Sequence, residues 1–344
     1  MTSVAQMSDR PLVAGALFSG IGGFCLGFEQ SGIKTAWAVE NNLLATMTYA
    51  HNIHGVRLIE HGGEPASIKD VSVKNDDLEP VDILHAGFPC QSFSQAGDRK
   101  GFGDPRGQLF YEIIRIVEEF KDRKPSVIVL ENSPHIRYGE GGSWFIELAK
   151  EIKKAGYWFR DTNCGELDPY LLTPLPQKRS RLFMVALSID HFKNGKVCFP
   201  SQRDETPKNL ANYIDFSGSQ QDDSYYLPEE NRYHKMISNE VEDKACIYQL
   251  RKFLVRVKEP GVCPTLTANM GLGGHNVPFI HDAKGLRKLT EFECLRLQGF
   301  PTGYTFPETV HRTKRYIQVG NSIAVPVAAL LAKAVKEKIE KERL

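Results

Sequence analysis

Cys90 stands in the segment GFPCQSFS (87–94), directly after the apolar run VDILHA. Between Pro89 and Gln91 it occupies a polar, glycine-flanked loop rather than an apolar face, the setting of a thiolate that has to meet a substrate. Cys25 and Cys198 lack that context and read as small apolar residues. Glu131 opens ENSPHI where the run PSVIVL ends. A carboxyl group partly withdrawn from water there can hold a proton near neutral pH and donate it. Arg179 and Arg181, in PQKRSRLFMVAL, are two apart at the start of a β-rich run, with Gln177 and Lys178 beside them. Next to a nucleophilic thiol they read as a clamp on a phosphate or a polar ring substituent. The set suits covalent catalysis assisted by a general acid.

A second set has the makings of a cofactor site. LFSGIGGF (17–24) places Ser19, Gly20, Gly22 and Gly23 after a β-rich run and before a helical one, the context in which glycine lets backbone approach a ligand closely. Glu40 ends the next β-rich run, TAWAVE, where an acidic residue hydrogen-bonds ribose hydroxyls. The glycines depart from the G-x-G-x-x-G pattern. That disfavours a nicotinamide oxidoreductase and suits a cofactor with a ribose but no pyrophosphate.

The elements that must position these groups alternate in the amino-terminal half. VAGALF, TAWAVE, VDILHAG, PSVIVLE and RLFMVAL read as strands, and 24–31, QLFYEIIRIVEEF and SWFIELAKEIKKAG as helices. Such alternation predicts an α/β fold with a doubly wound, mostly parallel sheet. PSVIVLE is its buried central strand, and polar groups following it sit at the carboxyl edge, where open α/β sheets bind ligands. Past about residue 190 the alternation is lost, and charge becomes bipolar: 204–243 holds ten acidic and three basic residues, 244–258 five basic and none acidic. A second, smaller, irregular β-rich domain is expected there. The tail IAVPVAALLAKAVKEKIEKERL has apolar residues at helical spacing, predicting a helix that packs back on the first domain.

Composition narrows the class. A chain of 344 residues is long enough for about two domains of ~150, and 41% hydrophobic with 25% charged residues is globular rather than disordered. No stretch approaches the ~20 apolar residues of a membrane span. Seven scattered cysteines without a C-x-x-C suggest neither a disulfide framework nor a zinc site. The amino terminus MTSVAQMSDRPLV lacks a cationic stretch followed by an apolar one, so a cytoplasmic location is expected. A net charge of +1 neither demands nor forbids a polyanionic partner.

GFPCQSFS, ENS, QKRSR, RKLTEFECLRLQGFP (287–301) and QVGNSIAVP (318–326) occur in this order in one chain. Together they closely resemble the DNA (cytosine-5)-methyltransferases of bacterial restriction–modification systems. The likeness covers about 17–188 and 287–326. Its departures, FSG where FAG is commoner and ENS where ENV is commoner, remove no functional group. The resemblance implies a Rossmann-like, S-adenosylmethionine-dependent catalytic domain in two pieces, 1–190 and 302–344, and a target-recognition domain at 191–301. It implies a cofactor, S-adenosyl-L-methionine, leaving as S-adenosyl-L-homocysteine, with Phe18 against the adenine, Glu40 on the ribose and Asp70 of SIKDV on the adenine amino group. Ser19, Gly20, Gly22, Gly23, Pro89, Asn321 and Ser322 complete that site, and no metal is called for.

The same resemblance gives Cys90 the role of nucleophile toward cytosine carbon 6 and Glu131 that of proton donor to ring nitrogen 3. Arg181 would hold the cytosine carbonyl oxygen and Arg179 a backbone phosphate, while the glycine-rich segment SQAGDRKGFGDPRG, with Arg106, closes over a flipped-out base. The partner is double-stranded DNA, bound by a monomer of bacterial or archaeal cytoplasm, with any companion restriction endonuclease acting on the same site without direct contact. Within 191–301, Arg251 and Arg256 have the charge to meet phosphates. Thr265, Thr267 and Asn269 alternate as residues on one face of an extended segment that could read bases. The alternatives are a cytosine-5 methyltransferase acting on tRNA, whose members usually lack a long recognition domain, and a non-catalytic DNA-binding regulator, expected to lose the Pro-Cys or Glu-Asn pair.

Overall fold

Runs of branched and aliphatic residues with no polar interruption become strands covered on both faces. Val127 to Leu130 are at most 1% exposed, and Leu182 to Leu187 likewise. A computed structural model describes residues 10–89, 108–219, 221–241, 246–251, 254–272 and 276–342. Cys90, Arg106 and the loop around them lie outside the described residues, as does the side chain of Arg251. The chain folds as two compact units: Met1–Leu167 with Ser180–Ser201 and Val327–Leu344, and Asp168–Arg179 with Gln202–Pro326.

The first unit is built on one sheet. Its strands run in the order Arg57–Leu58, Lys34–Val39, Val13–Leu17, Ile83–Gly87, Val127–Asn132, Arg181–Ser188 and Tyr157–Trp158, with Cys164–Leu167 also paired to Arg181–Ser188. The first five are parallel neighbours, and Arg181–Ser188 turns antiparallel to Val127–Asn132. The winding reverses between Val13–Leu17 and Ile83–Gly87, the switch point at whose carboxyl ends open α/β sheets form their ligand crevice. Helices Leu109–Glu119 and Ser143–Lys154 bury their apolar faces, with Phe110, Ile113, Ile116, Leu148 and Ile152 fully covered. The last helix, Val325–Glu342, is tied to the first unit by Ser31 Oγ donating to the Ala329 carbonyl at 2.9 Å and Lys336 Nζ to the Ser31 carbonyl at 3.2 Å. The segment Arg312–Glu342 has the length and apolar composition of a membrane span. It is, however, interrupted at 322–324, and Val325, Leu331, Ala332 and Val335 are core residues.

The second unit has its own four-stranded antiparallel sheet, ordered Leu254–Val257, Tyr248–Arg251, Pro278–His281 and Leu286–Lys288. Tyr248, Leu250, Phe279 and Leu286 form its core with Ile237 and Val277. RKLTEFECLRLQGFP supplies the polar brace. Thr290 and Glu293 form a capping box at the start of helix Glu291–Leu297, and Glu293 also takes both terminal nitrogens of the fully buried Arg287 at 2.8 Å. Arg287 Nε donates to Asp282 at 2.6 Å. Removing one member of such a buried set leaves an uncompensated charge, so Arg287→Ala should lose about 3–5 kcal/mol of unfolding free energy. A urea titration showing a loss under about 1 kcal/mol would contradict this.

The boundaries expected from sequence assign 302–326 to the catalytic domain, whereas the contacts place this stretch in the second unit. Helix Arg312–Asn321 lies against the turn Ala268–Gly271 so closely that a Cβ on Gly271 would meet the Tyr316 ring at 2.6 Å. Tyr316 donates to the Leu289 carbonyl at 2.5 Å and Gln298 to the Val319 carbonyl at 3.1 Å. The glycine at 271 thus serves helix packing.

Candidate active site

The loop after the first strand is shaped by left-handed backbone at Phe18, Gly20 and Gly22, with φ of 55°, 55° and 83°. Phe18 is a non-glycine residue in a costly region, held by its packing on the sheet core. Gly22 is also closely faced, since a Cβ there would lie 2.1 Å from the tip of the Ile53 side chain, which would have to move. The next strand ends beside this loop, through the register Leu17 opposite Val39. Glu40 then accepts the Gly20 N–H on one oxygen and the Asn42 N–H on the other, each at 2.9 Å. Burial raises the Glu40 carboxyl above its ordinary range, against the lowering effect of those N–H groups. Ser19 is 8% exposed, and its Oγ is buried without a hydrogen-bond partner. The space a side chain at Gly20 would enter is open. A polar atom awaiting a partner, an open cradle and an acceptor carboxylate fit a ribose-bearing cofactor. Asp70 lies in an exposed turn of the same unit.

On the other side of the switch point, Gly87 pairs with Glu131 in parallel register. The strand running into Phe88, Pro89 and Cys90 therefore ends level with the carboxylate, whose Oε2 lies 3.5 Å from where a Gly87 Cβ would be. Arg181, opening the antiparallel strand, brings its Nε within 3.2 Å of Glu131 Oε1, and both side chains remain partly exposed at 22% and 17%. Asn132 donates to the Phe88 carbonyl at 3.2 Å and accepts the Ser133 N–H at 2.8 Å. It is 1% exposed and anchors the backbone at Phe88, two residues before Cys90 in sequence, a role to which its place after Glu131 was the sole sequence clue. His85, on the same strand, is no competitor as a base. It stacks against Phe24 at 4.9 Å, and burial lowers its pKa to about 3.

Two expectations are corrected. Arg179 and Arg181 do not form a fork: the strand begins at Arg181, and Arg179 belongs to the second unit. Arg179 is 3% exposed and donates to the carbonyls of Leu266, Gly320 and Ser322 at 2.6, 2.9 and 2.6 Å, so a phosphate clamp is not its geometry. Nor do Thr265, Thr267 and Asn269 share an extended segment. Asn269 is inside the 3-10 turn Ala268–Gly271, where its Oδ1 accepts the Thr267 hydroxyl at 2.6 Å. Asn321 and Ser322 end helix Arg312–Asn321 in the second unit. Arg256 is exposed on the edge strand of the second sheet, and Arg251 occupies the register position opposite Leu254. Among the described residues no group of three or more His, Cys, Asp or Glu side chains gathers to hold a metal.

A doubly wound sheet with a ribose-suited loop on one side of its switch point, and on the other a carboxylate–guanidinium pair at the end of the strand that precedes Cys90 in sequence, is the layout of an α/β methyltransferase of the S-adenosyl-L-methionine-using class. Comparison with known proteins specifies it further. The chain belongs to the C-5 cytosine-specific DNA methylase family, whose model matches residues 14–337. It is 36% identical over 324 residues to the Type II methyltransferase M.Bsp6I of Bacillus sp. (strain RFL6), covering 93% of this chain and 97% of that one. It is 31% identical over 326 residues to M.NlaX of Neisseria lactamica, covering 93% and 95%. In fold it is similar to the methyltransferase EhMeth of Entamoeba histolytica, with a TM-score of 0.72 over 96% of this chain and 99% of that one at 18% identity. The protein is a DNA cytosine-5 methyltransferase.

Proposed function

We propose that the enzyme methylates carbon 5 of a cytosine flipped out of duplex DNA at a short specific site, as the protective methylase of a restriction–modification system in its host cytoplasm. Cys90 is the nucleophile. The observation that carries this reading is the Gly87–Glu131 register with Arg181 against Glu131, which gathers a proton donor and a guanidinium at the strand end leading to Cys90. The intact Pro89-Cys90 and Glu131-Asn132 pairs disfavour a non-catalytic regulator, and the Type II relatives disfavour a tRNA enzyme.

Carbon 5 of cytosine is a weak nucleophile. Addition of the Cys90 thiolate to carbon 6 forms a carbon–sulfur bond and pushes the displaced electron pair toward ring nitrogen 3. Glu131 delivers its proton to that nitrogen as charge develops, and Arg181 donates to the carbonyl oxygen. The ring is then an enamine, nucleophilic at carbon 5. Bound S-adenosyl-L-methionine supplies the electrophilic methyl group, and Phe18, Ser19, Gly20 and Glu40 are the first unit's residues that would hold it. The carbon-5 proton then leaves to water, the carbon–sulfur bond breaks and Glu131 recovers its proton. A stacked base exposes neither ring face to these groups, so the cytosine must leave the helix at a cost of a few kcal/mol.

Glu40→Ala should weaken cofactor binding by about ten-fold or more while the rate recovers at saturating S-adenosyl-L-methionine. An unchanged dissociation constant in calorimetry would remove Glu40 from the ribose. The reading as a whole is tested by bisulfite sequencing of plasmid DNA from a host expressing the protein. Protected cytosines in one short sequence context support it, and an unmethylated plasmid with methylated tRNA would replace it.

A further inference from the structure

QKRSR carries charge suited to a ligand, yet its first three residues grip a segment of their own unit. Gln177 forms a parallel bridge with Cys263. The Cys263 N–H donates to the Pro176 carbonyl and the Lys178 N–H to the Cys263 carbonyl, both at 2.9 Å. Leu266 N–H donates to Gln177 Oε1 at 3.3 Å, Thr265 Oγ1 to the Lys178 carbonyl at 2.8 Å, and Arg179 Nη1 to the Leu266 carbonyl at 2.6 Å. The other terminal nitrogen of Arg179 bridges the carbonyls of Gly320 and Ser322. Gln177 is fully buried and holds the Leu297 carbonyl at 3.0 Å through Nε2. Backbone carbonyls from 266 and 320–322 thus converge on one buried guanidinium. Those three acceptors satisfy the buried charge and tie the two backbone segments to one side chain.

We infer that Arg179 is a positioning residue for DNA sequence readout: it sets the backbone of 265–269 from behind, with Gln177, and does not itself meet phosphate. The inference rests on the reading that the second unit selects the DNA site. Thr265 and Thr267, either side of the gripped Leu266, are half-exposed; their hydroxyls donate to the Lys178 carbonyl and to Asn269 Oδ1, which leaves the hydroxyl oxygens to accept from a ligand. Half an ångström of drift in such a segment degrades base contacts while leaving the phosphate contacts of exposed residues intact.

The test uses the full-length protein and fluorescent duplexes carrying the site mapped by bisulfite sequencing, a single-mismatch site, or no site, across a salt series. For Arg179→Met the discrimination between site and mismatch should fall by at least about ten-fold, with the salt slope on non-specific duplex unchanged. Arg256→Ala should do the reverse, lowering the slope by about 0.9 with discrimination kept. Arg179→Lys retains the charge but cannot bridge three carbonyls, and should also lose discrimination; it decides the question if Arg179→Met does not fold. A slope lowered by about one with discrimination intact would make Arg179 a phosphate contact. Discrimination and slope both unchanged would make it a brace without influence on readout. Either result overturns the inference alone. Wild-type protein that binds all three duplexes equally would overturn the reading beneath it.

Discussion

Cys90→Ala should transfer less than about 1% of the wild-type methyl flux while binding duplex DNA and S-adenosyl-L-homocysteine within a few-fold of wild type, because the thiolate acts only in the covalent step. Four of the other thiols are poorly equipped to substitute. Burial pushes the Cys25, Cys263 and Cys294 thiols up, and raises Cys164 to about 12. A thiol so far from ionising offers almost no nucleophile at neutral pH. Transfer well above that level in a tritiated-methyl assay would remove Cys90 from the mechanism. Retained binding separates this outcome from a folding defect.

Glu131→Gln should slow single-turnover transfer by about 10²-fold or more, the usual contribution of a positioned acid, with little change in cofactor affinity. Size and hydrogen-bonding shape persist, but the amide cannot release a proton to ring nitrogen 3. Stability should hardly move, since the pair with Arg181 is partly exposed and such pairs contribute roughly 0–1 kcal/mol. A rate within a few-fold of wild type would return Glu131 to a structural role. A large fall in melting temperature with an unchanged rate would do so as well.

The strands were legible because each is a continuous apolar run: VAGALF, PSVIVLE and RLFMVAL appear as Val13–Leu17, Val127–Asn132 and Arg181–Ser188. The order of glycine loop, Glu40 and Glu131 along the chain also foretold their places at strand ends, since a parallel sheet puts every such end on one edge. The burial of Arg179 has no signature in the sequence, for a physical reason. A guanidinium two residues from a functional arginine carries the same charge whether it faces solvent or three carbonyls, and its acceptors are 87 to 143 residues away. Gln177 and Gln298, whose amides meet at 3.3 Å across 121 residues, were equally invisible. The alternation of Thr265, Thr267 and Asn269 suggested a strand, but Gly271 under Tyr316 permits a tight 3-10 turn that takes Asn269 out of line.

The central claim is a covalent bond between Cys90 and carbon 6 of the target cytosine. It is met most directly by incubating the enzyme and S-adenosyl-L-methionine with a duplex in which the target cytosine carries fluorine at carbon 5. Methyl transfer can then proceed but elimination cannot, because the proton that must leave has been replaced. Denaturing electrophoresis should show a cofactor-dependent protein–DNA adduct of one to one stoichiometry, and peptide mass mapping should place the nucleotide on Cys90. An adduct on any other residue, or methylated product with no adduct, would contradict the account.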